Sequence, residues 1–277
     1  MIHVIRSEWI KLRTVRSTII TLFAAGAIVV LVAVLSVNNI NGNQDTRCVA
    51  ASSPDATATT VPDDGSFGVE SCGPDATLVA QPTPAHLSDV TAGVTIAVFV
   101  FGALGVQVIG QEYRFNTIRP TFTAVPDRRR VLLAKLVVMA ASTAVVALLM
   151  TLVCWAIGSA LADSWVVDGT DHRLLWAIPL FAALWTIGGI GVGAIVRQPI
   201  AGILVLLGWA FIAEQIIGSV VDGSARWLPF LNGIQMTTRV EAGQQDVRPL
   251  LEGGIYFAIV CALLFVVGTI LADRRDA

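Results

Sequence analysis

Charge is scarce in this chain. Of its 277 residues only 14% are Asp, Glu, Lys or Arg, against about 25% in soluble domains, and 55% are hydrophobic. A soluble domain of this length must cover itself with polar surface, so a mean hydropathy of +0.74 excludes a soluble enzyme and equally a disordered chain. The expected solvent is lipid. Lysine is nearly absent: Lys11 follows Ile10 and Lys135 follows Ala134, and neither completes the glycine-rich turn plus Ser or Thr that cradles phosphates in a P-loop. Any ATP-driven step must therefore be powered by another subunit. His3, His86 and His172 fall in separate loops without H-E-x-x-H or Cys/His ligand spacing, so no metal site is expected. There is no G-x-S-x-G elbow, and hydroxyls within the apolar stretches lack a neighbouring His or carboxylate to activate them, so no catalytic residue is expected. The basic residues hug the ends of apolar stretches without interleaved aromatics, which marks topology rather than nucleic-acid binding.

What the chain has in abundance is long apolar runs. A membrane-crossing helix needs about 20 mostly apolar residues, and six stretches qualify: 19–37, 90–109, 131–161, 174–196, 200–221 and 254–272. The expected fold is an all-α integral membrane protein with a single six-span domain over residues 1–277. The first run exceeds the 7–15 residues usual for a signal peptide, and no A-x-A site follows it before Asn38, so it is read as a permanent span. The third is longer than a bilayer requires and carries Lys135 near its start, so its first turns are expected to project as a water-exposed extension. Six spans put both termini on one side. That side carries 13 of the 18 basic residues, and the acidic residues crowd the first long loop on the other, so both termini are expected in the cytoplasm.

Cys154 and Cys261 lie within spans, where a thiol behaves as a small apolar group. Cys48 and Cys72 share the outer segment 38–88, rich in Pro, Asp, Thr and Ser, where disulfides persist. A bridge between them would close a loop of about 25 residues, a restraint of roughly 3 kcal/mol; the alternative is two unpaired thiols. No secondary structure is assigned to this segment.

Residues 1–17 place Ile2, Ile5, Trp9 and Leu12 on one helical stripe, with Lys11 opposite and Arg6 and Arg13 at its flank. Two readings stand: an amphipathic helix lying among membrane lipids, and a plain positive-inside signal. The segment 111–135, QEYRFNTIRPTFTAVPDRRRVLLAK, is the most informative. Asp127 is placed to cap the helix that follows Pro126, yet Arg128, Arg129 and Arg130 crowd the same N-terminus, where the helix dipole disfavours each cation by roughly 0.3–1 kcal/mol. The compensation is either a topology and lipid-phosphate signal or an acidic surface on a cytoplasmic partner.

This segment resembles the loop between the second and third spans of bacterial ATP-binding-cassette type-2 permeases, whose pattern is E-Y-R-x-x-T-I-R-x-T-x-x-x-x-P-x-R-x-x-x-x-x-A-K. The matching residues are Glu112, Tyr113, Arg114, Thr117, Ile118, Arg119, Thr121, Pro126, Arg128, Ala134 and Lys135. The opening S-E-W-I-K-L-R-T-V-R-S-T is also similar to the family's start, with Glu8, Trp9, Lys11, Leu12, Arg13 and Arg16 in place. The resemblance implies a permease subunit in the bacterial plasma membrane. Two such subunits, identical or not, would form the translocation path of an exporter, each engaging a separate ATPase subunit that holds ATP and Mg2+; this chain itself binds no cofactor. Residues 2–16 would be the connecting helix and 111–130 the coupling loop. Glu112, Thr117 and Arg128 belong to that loop; Tyr113, Phe115, Ile118 and Phe122 would pack on the partner, and Arg114 and Arg119 would pair with it. Alternatively, these residues form a solvated charged loop with aromatics at the lipid interface.

Glu214, in the fifth span, is costly enough in a bilayer to need a partner, a cavity or water. A place in the transport path or dimer seam competes with a structural hydrogen bond or a snorkelling side chain, and Gln107 and Gln215 are candidate partners. Gly189 and Gly193 form a GxxxG pair suited to close helix packing or to a hinge. Residues 222–252 resemble the partly re-entrant outer segment of the family, with Asp222, Arg226, Arg239 and Glu241 at the outer rim. Two other function classes are open. An ion-coupled transporter would show several intramembrane charges and inverted repeats, and a membrane scaffold would have neither an ATPase partner nor flux.

Overall fold

A computed structural model of the chain describes residues 6–7, 9–10, 16–42, 44–50, 76–115, 128–239 and 247–275. Six helical stretches are long and apolar enough to cross a membrane: Thr18–Gly42, Ala92–Arg114, Val131–Leu161, Gly169–Val196, Pro199–Val220 and Leu250–Ala272. The chain is a multi-pass membrane protein whose crossings are all helical, as expected. Its spans are α1 (Arg16–Gly42), α3 (Ala92–Arg114), α4 (Arg128–Leu161), α5 (Gly169–Val196) and α9 (Leu250–Arg275), with the fifth crossing made of α6 (Pro199–Leu207), a π-helical turn (Gly208–Ala213) and α7 (Glu214–Val220). Short helices α2 (Leu87–Val90) and α8 (Pro229–Ile234) fill the connections.

The centre is α5, held between α3 and α9, and glycine makes this possible. A Cβ at Gly189 would run into the Gly102 carbonyl of α3, and one at Gly193 would lie 2.7 Å from the Val106 carbonyl oxygen. On the opposite side, a Cβ at Gly191 would lie 2.5 Å from the Leu264 backbone of α9. In lipid no hydrophobic effect draws helices together, so such close backbone approach supplies the packing. The G-G-I-G-V-G run is thus a two-sided packing surface within one chain. Thr186 adds a buried hydroxyl link to this centre, donating to Ala182 O at 2.8 Å and lying 3.1 Å from Thr143 Oγ1 of α4.

The end of the bundle opposite the termini is tied by backbone and carboxylate bonds. Asp168 caps α5, its Oδ1 accepting from the Thr170 and Asp171 amides at 2.8 and 3.1 Å, and Asp171 Oδ2 accepts from the Asp168 amide in return at 2.9 Å. Asp171 Oδ1 also accepts the Leu87 amide of α2 at 3.1 Å, and Arg239 pairs with Asp168. Because the ion pair is partly exposed, the cap carries most of the energy, so Asp168→Ala is expected to cost about 1 kcal/mol. Thermal unfolding in detergent reads this as a modest drop in Tm, with Arg239→Gln changing it less.

Two expectations need correction. The segment 38–88, left without secondary structure, contains an antiparallel ribbon of β1 (Gln44–Ala50) and β2 (Ala76–Pro82), with Cys48 opposite Leu78. Alternation is hard to see there because Pro, Ser and Asp dominate the stretch between the strands. The Cys48–Cys72 bridge lies outside the described residues. The start of α4 is also not a water-exposed extension: Val131, Leu132, Ala134 and Lys135 are buried against the rest of the chain.

Candidate functional site

Two places gather the residues of interest. At the end of the bundle that carries the termini, the helices on either side of segment 116–127 meet. Lys135, only 2% exposed, reaches from α4 to the last turn of α3, where its Nζ lies 2.7 Å from Glu112 Oε1. At the next residue, the Arg197 guanidinium stacks 4.7 Å from the Tyr113 ring centroid, and its Nη2 donates to the Leu271 carbonyl of α9 at 3.2 Å. Arg197 closes α5 with φ of 59°, a left-handed conformation usually left to glycine. Its side chain thereby binds the α5–α6 turn to both α3 and α9.

Of the residues expected to meet a partner, Glu112 and Tyr113 are half-buried and engaged within the chain. Arg114 and Phe115 are exposed, the guanidinium 5.6 Å from the ring centroid. Thr117, Ile118, Arg119 and Phe122 lie outside the described residues, as does the side chain of Arg128. Near the N-terminus Trp9 and Ile10 are helical and about half exposed, while Lys11 and Arg13 are outside the described residues.

The second place is Glu214, which is completely buried. Its Oε1 accepts from Trp209 Nε1 at 2.7 Å and from the Phe230 amide at 3.1 Å, and its Oε2 accepts from the Leu231 amide at 2.9 Å. These two amides open α8, so a carboxylate from the fifth crossing caps a helix 15 residues further along. The π-helical turn widens the helix so that Trp209 and Glu214, five residues apart, share one face. Snorkelling is excluded. The candidate partners also differ: Gln215 is exposed, and Gln107 accepts from Gln111 instead. With α8 anchored this way, Phe230 inserts among aromatic rings, its centroid 5.0 Å from that of Trp185 and 5.6 Å from that of Phe99. Within the outer segment, the described helix α8 therefore packs into the bundle against both α5 and α9.

One His/carboxylate grouping forms among the described residues, although the three histidines are far apart in sequence. His86, Asp168 and Asp171 bring ligand atoms within 4.8 Å of one another. Both carboxylates are already committed to the α5 cap, to Leu87 and to Arg239. The arrangement reads as a structural tie between α2 and α5. No family model and no curated protein matches this chain.

Proposed function

We propose that this chain is the membrane-spanning permease subunit of an ATP-driven ABC exporter in a bacterial plasma membrane, with both termini cytoplasmic. Two such subunits form the path, and each engages a separate ATPase subunit that carries ATP and Mg2+. The observation that supports this reading most is the convergence of Glu112, Tyr113, Lys135 and Arg197 at one end of the bundle. Three of these belong to the E-Y-R to A-K pattern that motivates the family resemblance. Together they tie the helices that flank segment 116–127, α3 and α4, to the α5–α6 turn and α9, so a load on that segment reaches five crossings at once.

A partner can bias such a bundle only by making different contacts in its nucleotide-bound and nucleotide-free states. Arg114 and Phe115 offer an exposed cation and ring at the loop's start for that purpose. The double variant Arg119→Glu, Phe122→Glu is expected to uncouple ATP hydrolysis by the co-purified ATPase subunit from transport, with membrane levels unchanged. Unaltered coupling, or no ATPase subunit recovered with the wild-type chain from its native membrane, overturns the proposal.

A further inference from the structure

Behind Glu214 lies a cavity of about 500 Å3 between α5, the fifth crossing, α8 and α9. Its inner wall is aromatic and buried, with Trp185, Phe230 and Phe257 at 5%, 2% and 1% exposure. Its rim is different. Leu204, Val205 and Trp209 are all more than half exposed and belong to a crossing that is apolar along its length. The mouth therefore opens sideways at membrane depth, where whatever enters has first partitioned into the bilayer.

The polar chemistry of this cavity is one-sided. Among the described residues Glu214 is the only carboxyl group in the wall, and no Lys, Arg or His lines it. Among the described residues no basic side chain pairs with Glu214; its three donors are an indole N–H and two backbone amides. A carboxylate offers about four lone-pair sites, so three donors fix its orientation and leave one acceptor position, which the fully buried side chain presents only once a ligand parts the wall around it. In a low-dielectric pocket of aromatic faces, a carboxyl group with no basic neighbour among the described residues is the matching partner for an incoming ammonium, and the ring quadrupoles add to the attraction. The π-helical turn that brings Trp209 to Glu214 also forms part of the wall, and such turns recur at functional sites.

We propose that this cavity binds an amphiphile made of an apolar body and one protonated amine, admitted from the bilayer, with the ammonium donating to Glu214. Binding belongs to this chain alone and does not depend on the exporter reading; if that reading holds, such molecules are the cargo class.

The test uses the full chain in phosphatidylcholine nanodiscs without any ATPase, so its failure leaves the exporter proposal standing. Dansylcadaverine, an apolar fluorophore on an aliphatic ammonium, is titrated while energy transfer from protein tryptophan is followed. Its N-acetylated form serves as the uncharged match. The amine is expected to bind above the level of empty nanodiscs and at least about tenfold more tightly than the acetylated form. Glu214→Gln is expected to remove that preference, and Ala213→Trp, which adds an indole at a position lining the cavity, to abolish binding of both. Adding phosphatidylethanolamine separates two sources of the same chemistry: displacement of the amine identifies a lipid headgroup as occupant, and persistence identifies a freely partitioned amine. No binding above empty nanodiscs, or equal binding of the two forms to the wild-type chain, overturns the proposal without recourse to any variant. Undiminished amine binding by a monodisperse Ala213→Trp protein overturns its location.

Discussion

Gly189→Leu is expected to leave little folded protein. At this position α3 and α5 approach so closely that even a Cβ would collide with the Gly102 carbonyl, and the next approach, at Gly193, is backbone against backbone as well. A flexible side chain can move aside, but two helix backbones can do so only by separating. Separation would also part the Thr186 hydroxyl from the Phe101 carbonyl of α3, 3.4 Å away, and loosen the aromatic cluster in which Phe230 meets Phe99 of α3 and Trp185 of α5. Overpacking of cores usually costs about 1–3 kcal/mol, and a rigid backbone contact belongs at or beyond the top of that range. The measurement is the monodisperse fraction on size exclusion in detergent, with thermal unfolding of whatever remains. Gly42→Ala, where a Cβ would meet nothing within 4 Å, is the control and is expected to be neutral. If Gly189→Leu unfolds at the wild-type temperature, the central packing described above is wrong.

Lys135→Met is expected to cost about 3 kcal/mol or more. The ammonium is buried and its Glu112 partner is only 14% exposed, so deleting the cation leaves a largely desolvated carboxylate. The single change Glu112→Gln is expected to be damaging for the mirror-image reason. Removing both charges together should restore most of the loss, because a buried pair gains little over an apolar pair of similar shape. A double-mutant cycle on unfolding free energies checks this: a coupling energy of at least about 1 kcal/mol is expected, and additive single effects would show that the two groups do not act as a unit. Under the exporter proposal, the neutral double variant should fold well and yet transmit ATP hydrolysis to transport poorly, which separates coupling from stability.

The membrane framework is largely legible from composition. Six apolar runs correspond to six helices because a lipid solvent leaves the backbone no option but internal hydrogen bonding. The ends were less legible. The fourth helix begins at Gly169 rather than near Leu174, since Asp168 and Asp171 build a cap from residues that hydropathy counts as loop. Lys135 illustrates the same limit: a lysine near a span end reads as water-exposed, yet it is buried because an antiparallel neighbour brings Glu112, 23 residues earlier, to the same height.

For the candidate sites, the sequence determined which residues are costly: a carboxylate in the fifth crossing, a lone lysine at the head of the third, glycines spaced along the fourth. It could not determine how each cost is met. Glu214 was expected to seek Gln107 or Gln215 and instead caps α8 through two backbone amides, a partner with no signature in residue type. Tertiary structure alone decided that, and with it the cavity beside Glu214 and the gathering of His86 with Asp168 and Asp171. The physical reason is that burial cost is local to one side chain and readable from its neighbours in the chain. The donors and packing surfaces that offset it come from segments distant in sequence, and only the folded bundle brings these together.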